Sequence, residues 1–338
     1  MSKVIILGSG AAPGVPSLAY GFGDCDPKEE KNIRLRSGTY MEISGVKLLI
    51  DTSPDLRMQL ILSNIRDVDA VFYTHAHADH LHGIDDLREI NRITGRAIEL
   101  FASPENLSVI RTRFPYLIVE KGEDVDPVYR AALHPNAFEY EKSFYFRELK
   151  VTPIKLQGHN VECSGYIFND GEVVHISDFR DIPESAFEFI KRRPEVLIMP
   201  LTTPEGTRFH AGLTTLLEYA ERIKAKKTII THMAVECSFA ASRAAFASYR
   251  SVIVSMQMRS APAFTPASTI SANISTAVSN GSVPIGSSSS PKGPISSATR
   301  ADVPMHAFFA AAMAADTTSA TVYGVFCIFR RFAPNVFA

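Results

Sequence analysis

The stretch AVFYTHAHADH, residues 70–80, places four side chains that can bind a metal within six residues, directly after an apolar run. The run at its start predicts a short buried strand. In the extended segment that follows, residues i and i+2 point to the same side, so His75 and His77 can bind one ion. A helix then begins and turns Asp79 and His80 toward a neighbouring position. One segment therefore predicts ligands for two metal sites, a pattern that a chance surface cluster of histidines seldom produces.

Three more potential ligands each follow a predicted strand directly, namely His159, Asp178 and His232. Taken singly, each could be an ordinary polar residue of a loop. Beside the ligand-rich stretch they become candidate members of the same metal site, because strand ends at one edge of a sheet lie close together.

The remaining apolar runs predict the architecture. Short β-branched runs fall into two sets, roughly within residues 1–101 and 144–231, and helical patterns alternate with them. The helical patterns cover residues 54–65, 80–92, 104–113, 183–192 and 213–224. Two sets of strands with helices outside predict an α/β fold, an αββα four-layer sandwich. Residues 114–143 lack clear periodicity and are expected to form a lid or an outer loop.

The charge distribution divides the 338-residue chain into two parts. The whole chain carries a net charge of −1, but residues 1–237 carry −6 and residues 238–338 carry +5. The second part contains neither Leu nor Glu, and its residues 259–302 are rich in Ser and Pro, a composition that cannot bury a core. We therefore predict a domain at 1–237 and an atypical tail at 238–338 that is disordered, fused or frameshifted.

The cysteines and the apolar runs indicate the cellular compartment in which the protein is expected. Four cysteines occur without a CxxC pair, which is typical of isolated reduced thiols. The N-terminal apolar run is only four residues long, and no run reaches the roughly 18 apolar residues of a membrane-spanning helix. We expect a soluble cytoplasmic protein without a membrane partner.

The His75-x-His77-x-Asp79-His80 motif with the three later ligands resembles the metallo-β-lactamase superfamily of binuclear metallohydrolases. Within it, the chain is most similar to the cyclic-phosphate phosphodiesterase branch of the carbon–phosphorus lyase pathway. The glycine-rich opening GSGAAPGVP (residues 8–16), the segment KNIRLRS (residues 31–37) and the segment LIDTSPD (residues 49–55) carry this likeness. The resemblance covers about residues 3–235.

The resemblance implies a division of the ligands between two divalent ions, Zn²⁺ or Mn²⁺. The first ion would be bound by His75, His77 and His159. The second would be bound by Asp79, His80 and His232, with Asp178 bridging the two. A hydroxide shared by the ions would attack phosphorus, and Asp79 is assigned a catalytic as well as a ligand role.

Two residues outside the ligand set are also candidates. His210 precedes a predicted helix and resembles the branch's active-site histidine that is not a ligand, where it would protonate the leaving oxygen or bind a phosphate. The alternative is an exposed loop histidine. Asp51 follows a predicted strand and would either support a metal ligand by a hydrogen bond or face the N-terminus of the next helix, and both readings stay open.

The function expected from these features is phosphodiester hydrolysis of a small cyclic phosphate or nucleotide-like substrate. Rival hydrolases are a lactonase, a thioesterase or a tRNA 3′-processing nuclease. Against the nuclease, and against nucleic acid as a partner, residues 1–237 are acidic and show no basic arm. Whether the chain forms a homodimer is left open.

The resemblance also has two departures. Some relatives have a cysteine-rich zinc site near residues 20–27, where only Cys25 stands here, so we predict no such site.

Relatives also continue after the last histidine ligand through a short helix to a closing strand, of which Val252–Val254 would be a remnant. An altered ending leaves open a metal-binding but inactive protein. Gene sequencing would test the frameshift, since a clean in-frame domain would contradict it.

Overall fold

Two sheets form the core of the described part of the chain. The computed structural model describes residues 2–247 and 252–254. Neighbouring strands of the first sheet are also consecutive in sequence: β1 (Lys3–Gly8), β2 (Gly38–Ile43), β3 (Val46–Ile50), β4 (Ala70–Phe72), β5 (Ile98–Ala102) and β6 (Leu133–Ala137). The second sheet likewise follows chain order: β7 (Phe144–Phe146), β8 (Leu149–Leu156), β9 (Cys163–Phe168), β10 (Val173–His175), β11 (Val196–Pro200), β12 (Lys227–Thr231) and β13 (Val252–Val254).

Six α-helices lie along these sheets within the described residues: α1 (Leu56–Leu62), α2 (Ala78–Leu81), α3 (Leu87–Thr94), α4 (Pro104–Arg113), α5 (Leu213–Ile223) and α6 (Phe239–Ala245). Four 3₁₀ turns accompany them, at Glu30–Asn32, Ile84–Asp86, Pro115–Leu117 and Glu184–Phe189. Strand alternation divides the core into layers: Leu48 and Ile50 face the other sheet, while Leu49 faces the helices. The predicted four-layer α/β sandwich is therefore confirmed.

The apolar layers follow from this alternation. Phe72 stacks on Phe101 with ring centroids 4.6 Å apart and meets Tyr166 and Phe168 of the second sheet edge to face. On the outer faces, Val71 belongs to an apolar cluster with residues of α1, α3 and α4, and Met199 belongs to one with residues of α5 and α6. Burial on both faces explains why the central strands read as continuous apolar runs.

One sequence expectation was wrong at the edge of the first sheet. Residues 114–143 are not only a lid or loop, because β6 pairs parallel with β5 over Leu133–Ala137. The strand contains Pro135 and only one fully buried side chain, so it lacks the alternating apolar pattern. Proline is tolerated there because β6 is an edge strand.

Two of the predicted helices are not observed as single α-helices. The helix expected at 80–92 divides into α2, a 3₁₀ turn and α3, and Gly83 lies at the break. A Cβ on Gly83 would lie 1.9 Å from the carbonyl oxygen of Ser53, so glycine permits the close approach of the two segments. The pattern at 183–192 forms the 3₁₀ turn Glu184–Phe189.

The described structure continues past residue 237, where the sequence analysis ended the domain. Ser238 caps α6, and Val252–Val254 pairs parallel with β12 as the outermost strand of the second sheet. Residues 255–338, which make up most of the predicted tail, lie outside the described residues, so the interpretation of that tail stays a prediction.

The sheet topology places the candidate site. The strands β3, β4, β10, β11 and β12 end at the segments that carry Asp51, His75, Asp178, Thr202 and His232. Since β10 is parallel to β11 and β11 to β12, their carboxyl ends lie at one edge of the second sheet.

Candidate metal centre

The histidine-rich stretch changes from extended backbone to helix at His77. His77 is the N-cap of α2 with φ −68° and ψ 154°, and Asp79 and His80 lie inside the helix. This is the conformational change that the spacing predicts. The four side chains are therefore presented from a single segment at the end of β4.

The first group of potential ligands consists of His75, His77 and His159. His77 Nδ1 lies 3.1 Å from His75 Nε2 and 3.2 Å from His159 Nε2. His159 comes from the loop after β8, more than 80 residues away in the chain. Three imidazole nitrogens thus converge with a spacing that one metal ion can occupy.

The second group consists of Asp79, His80 and His232. Asp79 Oδ2 lies 3.3 Å from His80 Nε2 and 3.4 Å from His232 Nε2. His232 has a left-handed backbone, with φ 53°, at the residue after β12. This uncommon conformation for a non-glycine residue turns the side chain into the group.

Asp178 lies between the two groups. Its Oδ2 atom is 3.9 Å from His75 Nε2, 3.7 Å from His80 Nε2 and 3.3 Å from His232 Nε2. The structure therefore brings all seven sequence-predicted ligands into one cluster, with the carboxylate of Asp178 reaching both halves.

Hydrogen bonds orient the imidazole rings from outside. His80 Nδ1 donates to Asp51 Oδ2 at 2.7 Å, and Asp51 also accepts the backbone N–H and hydroxyl of Thr74, both at 2.7 Å. Of the two readings of Asp51, the structure shows the contact with a potential ligand. The N-cap of α1 is Asp55 instead.

Two further rings are oriented in the same manner. His159 Nδ1 lies 3.3 Å from the carbonyl oxygen of Phe209, and His232 Nδ1 lies 3.1 Å from Thr202 Oγ1. A carbonyl can only accept, so His159 donates through Nδ1 and keeps Nε2 free for the cluster.

His210 lies beside the cluster without joining either group. Its Nε2 atom is 3.4 Å from Asp178 Oδ2, and its ring centroid is 5.1 Å from that of His159. Its Nδ1 atom contacts Thr207 Oγ1 at 3.0 Å, which holds the ring in place. The side chain is one-fifth exposed, so it can meet a molecule that enters the site.

The pKa shifts of three imidazoles and of the Asp178 carboxylate suit a divalent cation. Burial lowers the pKa values of His75, His77 and His159, which leaves these rings neutral. Burial opposes ionisation of Asp178, but the charge of His232 and the hydrogen bond from His210 outweigh it, so the pKa of Asp178 falls well below its usual range. Neutral imidazoles and ionised carboxylates are the forms that bind metal.

Burial also opposes a charge on His80, yet the carboxylates of Asp79 and Asp51 outweigh it and raise the pKa of His80. His80 Nε2 and Asp178 Oδ1 are buried and make no hydrogen bond among the described residues. Orphaned polar atoms of this kind are costly unless another partner satisfies them. Both atoms belong to the ligand set, so the residues present fit a bound metal.

Sequence reasoning missed several residues that shape the site. Thr74 and Thr202 contact potential ligands through their hydroxyl groups, and Cys163 Sγ lies 3.5 Å from His75 Nδ1. Arg113 Nη1 donates to the carbonyl oxygen of Ala76, between two potential ligands, and Arg180 Nη1 donates to the carbonyl oxygen of His210. Of these residues, only Thr74 could have been found from the sequence, because it lies inside the ligand-rich stretch. The other residues lie far from that stretch in the chain.

A family model described as a β-lactamase superfamily domain matches residues 47–233. A solved structure described as a new diphosphatase from the PhnP family is 26% identical, with a TM-score of 0.66, over 77% of this chain and 96% of the other. Zn²⁺-bound PqqB from Methylobacterium extorquens is 19% identical, with a TM-score of 0.57, over 77% of this chain and 99% of the other. At 19% identity the second likeness shows the fold alone.

Two curated proteins are also similar. Octanoyltransferase from Porphyromonas gingivalis is 26% identical over 232 residues, 68% of this chain and 46% of that protein. Ribonuclease Z from Clostridioides difficile is 27% identical over 139 residues, 40% of this chain and 44% of that protein. The chain spans less than half the length of these curated relatives.

No helix among the described residues is long and apolar enough to cross a membrane.

Proposed function

This chain belongs to the β-lactamase superfamily, whose members include metal-dependent hydrolases, and from that premise we propose that it is a binuclear phosphodiesterase. Its substrate would be a small cyclic phosphate or a nucleotide-like diester. The observation that carries the proposal is the position of Asp178 Oδ2, within 4 Å of nitrogens from both groups of potential ligands.

In this proposal the residues would divide between two ions. His75, His77 and His159 would hold the first, Asp79, His80 and His232 the second, and Asp178 would contact both. Histidine and carboxylate ligands suit Zn²⁺ and Mn²⁺ alike. Such ions, when bound, lower the pKa of a shared water and neutralise negative charge on phosphate oxygens.

The chain's own side chains supply the rest. Asp51 keeps His80 in the tautomer that presents Nε2 to the cluster, because its carboxylate accepts the Nδ1 proton. We assign to His210 the transfer of a proton to the departing alcohol oxygen; its Nε2 atom lies 3.4 Å from Asp178 Oδ2 and its side chain is one-fifth exposed, which supports this role. The hydroxyl of Thr207 forms a hydrogen bond with the other ring nitrogen of His210, Nδ1, and fixes the orientation of the ring.

Two observations support phosphorus over carbon as the reacting centre. The similar structure at 26% identity is described as a diphosphatase, and one of the curated relatives is named ribonuclease Z. Lactonase and thioesterase chemistry remain the rival hydrolases, since the same ligand set activates water toward carbonyl groups. A tRNA-processing nuclease is disfavoured by the net charge of −6 on residues 1–237.

The test combines metal analysis with turnover. The purified full chain is loaded with Zn²⁺ or Mn²⁺, its metal content is measured, and hydrolysis of bis(p-nitrophenyl) phosphate, a thioester, a lactone and a precursor tRNA is compared. Two ions per chain with diester turnover support the proposal. Turnover of the thioester or lactone alone would replace it with a carbonyl hydrolase, and two ions without any turnover would indicate an inactive metal-binding protein.

A further inference from the structure

We propose that a cavity at the edge of the second sheet opposite the candidate metal centre binds a small phosphate monoester with an apolar body. The cavity has a volume of about 360 Å³ and is lined by residues of the segment 187–193 and by the C-terminal end of α5. This volume is in the range of cavities that hold small organic molecules. The inference goes beyond the proposed function and does not rest on it, because none of the seven potential metal ligands lines the cavity.

The sheet topology separates this cavity from the metal centre. The segment 190–193 precedes β11, and Ile223 precedes β12, so the cavity lies at the amino ends of these strands. Asp178 and His232 instead follow the carboxyl ends of β10 and β12. Since β11 and β12 are parallel and pair over five residues, the two places are separated by the length of a strand, roughly 15 Å.

The lining of the cavity combines apolar and basic residues. Phe187, Ile190 and Ile223 supply the apolar part. Four basic residues supply the rest, namely Lys191, Arg192, Arg193 and Arg222. No acidic residue of the described part of the chain lines the cavity. A molecule that fills this space therefore needs both apolar surface and negative charge.

Two of the guanidiniums are held in place by contacts of their own. The Arg222 Cζ atom lies 3.5 Å from the ring centroid of Phe187, and both terminal nitrogens of Arg222 donate to the carboxylate of Glu184. Arg193 Nε donates to the carbonyl oxygen of Lys224 at 2.8 Å. This bond uses one of the five N–H groups of Arg193 and leaves its two terminal nitrogens available to an anion.

The basic residues of the lining are only partly neutralised. Lys191 and Arg193 form no ion pair within the described residues, and both are exposed. Arg192 lies 3.9 Å from Glu195, which Lys226 binds more closely, at 2.7 Å. Two cations without a close acidic partner match the charge of a phosphate monoester, which is about −1.5 to −2 at neutral pH. A single carboxylate would neutralise only one of them.

The charge of the rest of the domain favours a small anion over an extended one. The carboxylate that Lys191 influences from further away, Asp170, is already bound by Lys150 at 2.7 Å. Residues 1–237 as a whole carry a net charge of −6, which repels a polyanion such as RNA that extends beyond the cavity. An anion inside the cavity interacts mainly with the residues that line it, because salt screens exposed charges beyond about 8 Å.

The experiment measures the protection of individual arginines from phenylglyoxal, by peptide mass spectrometry on the metal-loaded full chain. Phenyl phosphate is the probe, and inorganic phosphate has the same charged group without the apolar body. At about ten times its dissociation constant, phenyl phosphate should slow the modification of Arg192 and Arg193 about tenfold. Inorganic phosphate at the same concentration should protect them much less. Arg66, which is exposed and lies outside the cavity lining, should react at an unchanged rate.

Lys191→Met tests the charge while keeping a side chain of similar length. It should weaken the protection of Arg193 by phenyl phosphate about tenfold, because it removes a charge-assisted bond to the anion. Hydrolysis of bis(p-nitrophenyl) phosphate should not change, since the metal centre lies at the opposite edge of the sheet. The matched control is Lys28→Met, at an exposed lysine outside the cavity lining, which should behave like the wild type in both measurements.

Four outcomes would overturn the proposal. They are unchanged modification of Arg192 and Arg193 in the presence of phenyl phosphate, equal protection by phenyl phosphate and inorganic phosphate, and undiminished protection in the K191M variant. The fourth is protection by a polyuridylate RNA at far lower concentration than by phenyl phosphate, which would assign the surface to nucleic acid. Failure of the proposed function shows separately, as absent diester turnover in a wild type whose arginines are still protected.

Discussion

His80 Nδ1 donates a hydrogen bond to Asp51 Oδ2 at 2.7 Å, and both side chains are almost completely buried. Asp51 itself has a left-handed backbone, with φ 61°, and receives two more bonds from Thr74. The carboxylate of Asp51 thus accepts three hydrogen bonds and lies behind His80, a potential metal ligand. The pair links the end of β3 to α2, which follows β4.

Asp51→Asn should weaken metal binding without removing a ligand. The amide lacks the charge that holds the Nδ1 proton of His80, and changes of this kind typically cost about 10–100-fold in metal affinity or activity. Competition with a chromogenic chelator measures the affinity. Asp124→Asn, at an exposed position, is the control, and equal affinity in both variants would contradict the role of Asp51.

His77→Ala should abolish metal-dependent turnover while the chain stays folded. His77 supplies the nitrogen on which the first group converges, but its side chain is only partly buried and contributes little to the core. We expect a loss of at least about 100-fold in kcat and a circular dichroism spectrum like that of the wild type. His134→Ala, on the edge strand β6, provides the comparison; undiminished turnover of H77A would refute the site.

His210→Gln should affect substrates according to their leaving group. A positioned general acid contributes roughly 10²–10⁴-fold when the departing oxygen needs a proton, and much less when it leaves readily as an anion. We therefore expect a loss of about 100-fold or more for an alkyl phosphodiester and a far smaller loss for bis(p-nitrophenyl) phosphate. The same loss for both substrates would instead favour phosphate binding by His210.

Asp69→Asn should lower stability at neutral pH and much less in acid. Burial opposes ionisation of Asp69, but the backbone N–H of Lys47 and the guanidiniums of Arg96 and Arg147 outweigh it, so its pKa is lowered. A carboxyl whose folded pKa is depressed stabilises the fold above its unfolded pKa of about 3.9, and that contribution is lost as the pH falls through the folded value.

We expect a loss of about 1–2 kcal/mol at pH 7, since both arginines are half exposed and solvent screens their charge. Urea unfolding of the metal-free chain at pH 7 and near pH 3 measures the difference. A loss of the same size at both pH values would show that packing, and not charge, accounts for the contribution of Asp69.

The sequence supported the strands and the local ligand geometry best. Strands such as Val46–Ile50 and Val196–Pro200 are apolar runs that both sheet faces bury, so periodicity and composition agree. The edge strand β6 was missed because an edge needs no alternation and tolerates Pro135. The helix expected at 80–92 was interrupted at Gly83, whose contact with Ser53 is a tertiary event without a local pattern.

The sequence by itself determined that His75, His77, Asp79 and His80 form one segment of potential metal ligands, because the step from strand to helix is local and the spacing fits it. Only the tertiary structure decided which distant side chains complete the cluster, and at what distance. Those placements depend on the parallel ends of separate strands meeting at one edge, and on close packing such as that of Gly158 against Arg180. Such contacts join residues up to about 150 positions apart, for which the order of residues in the chain contains no local signal.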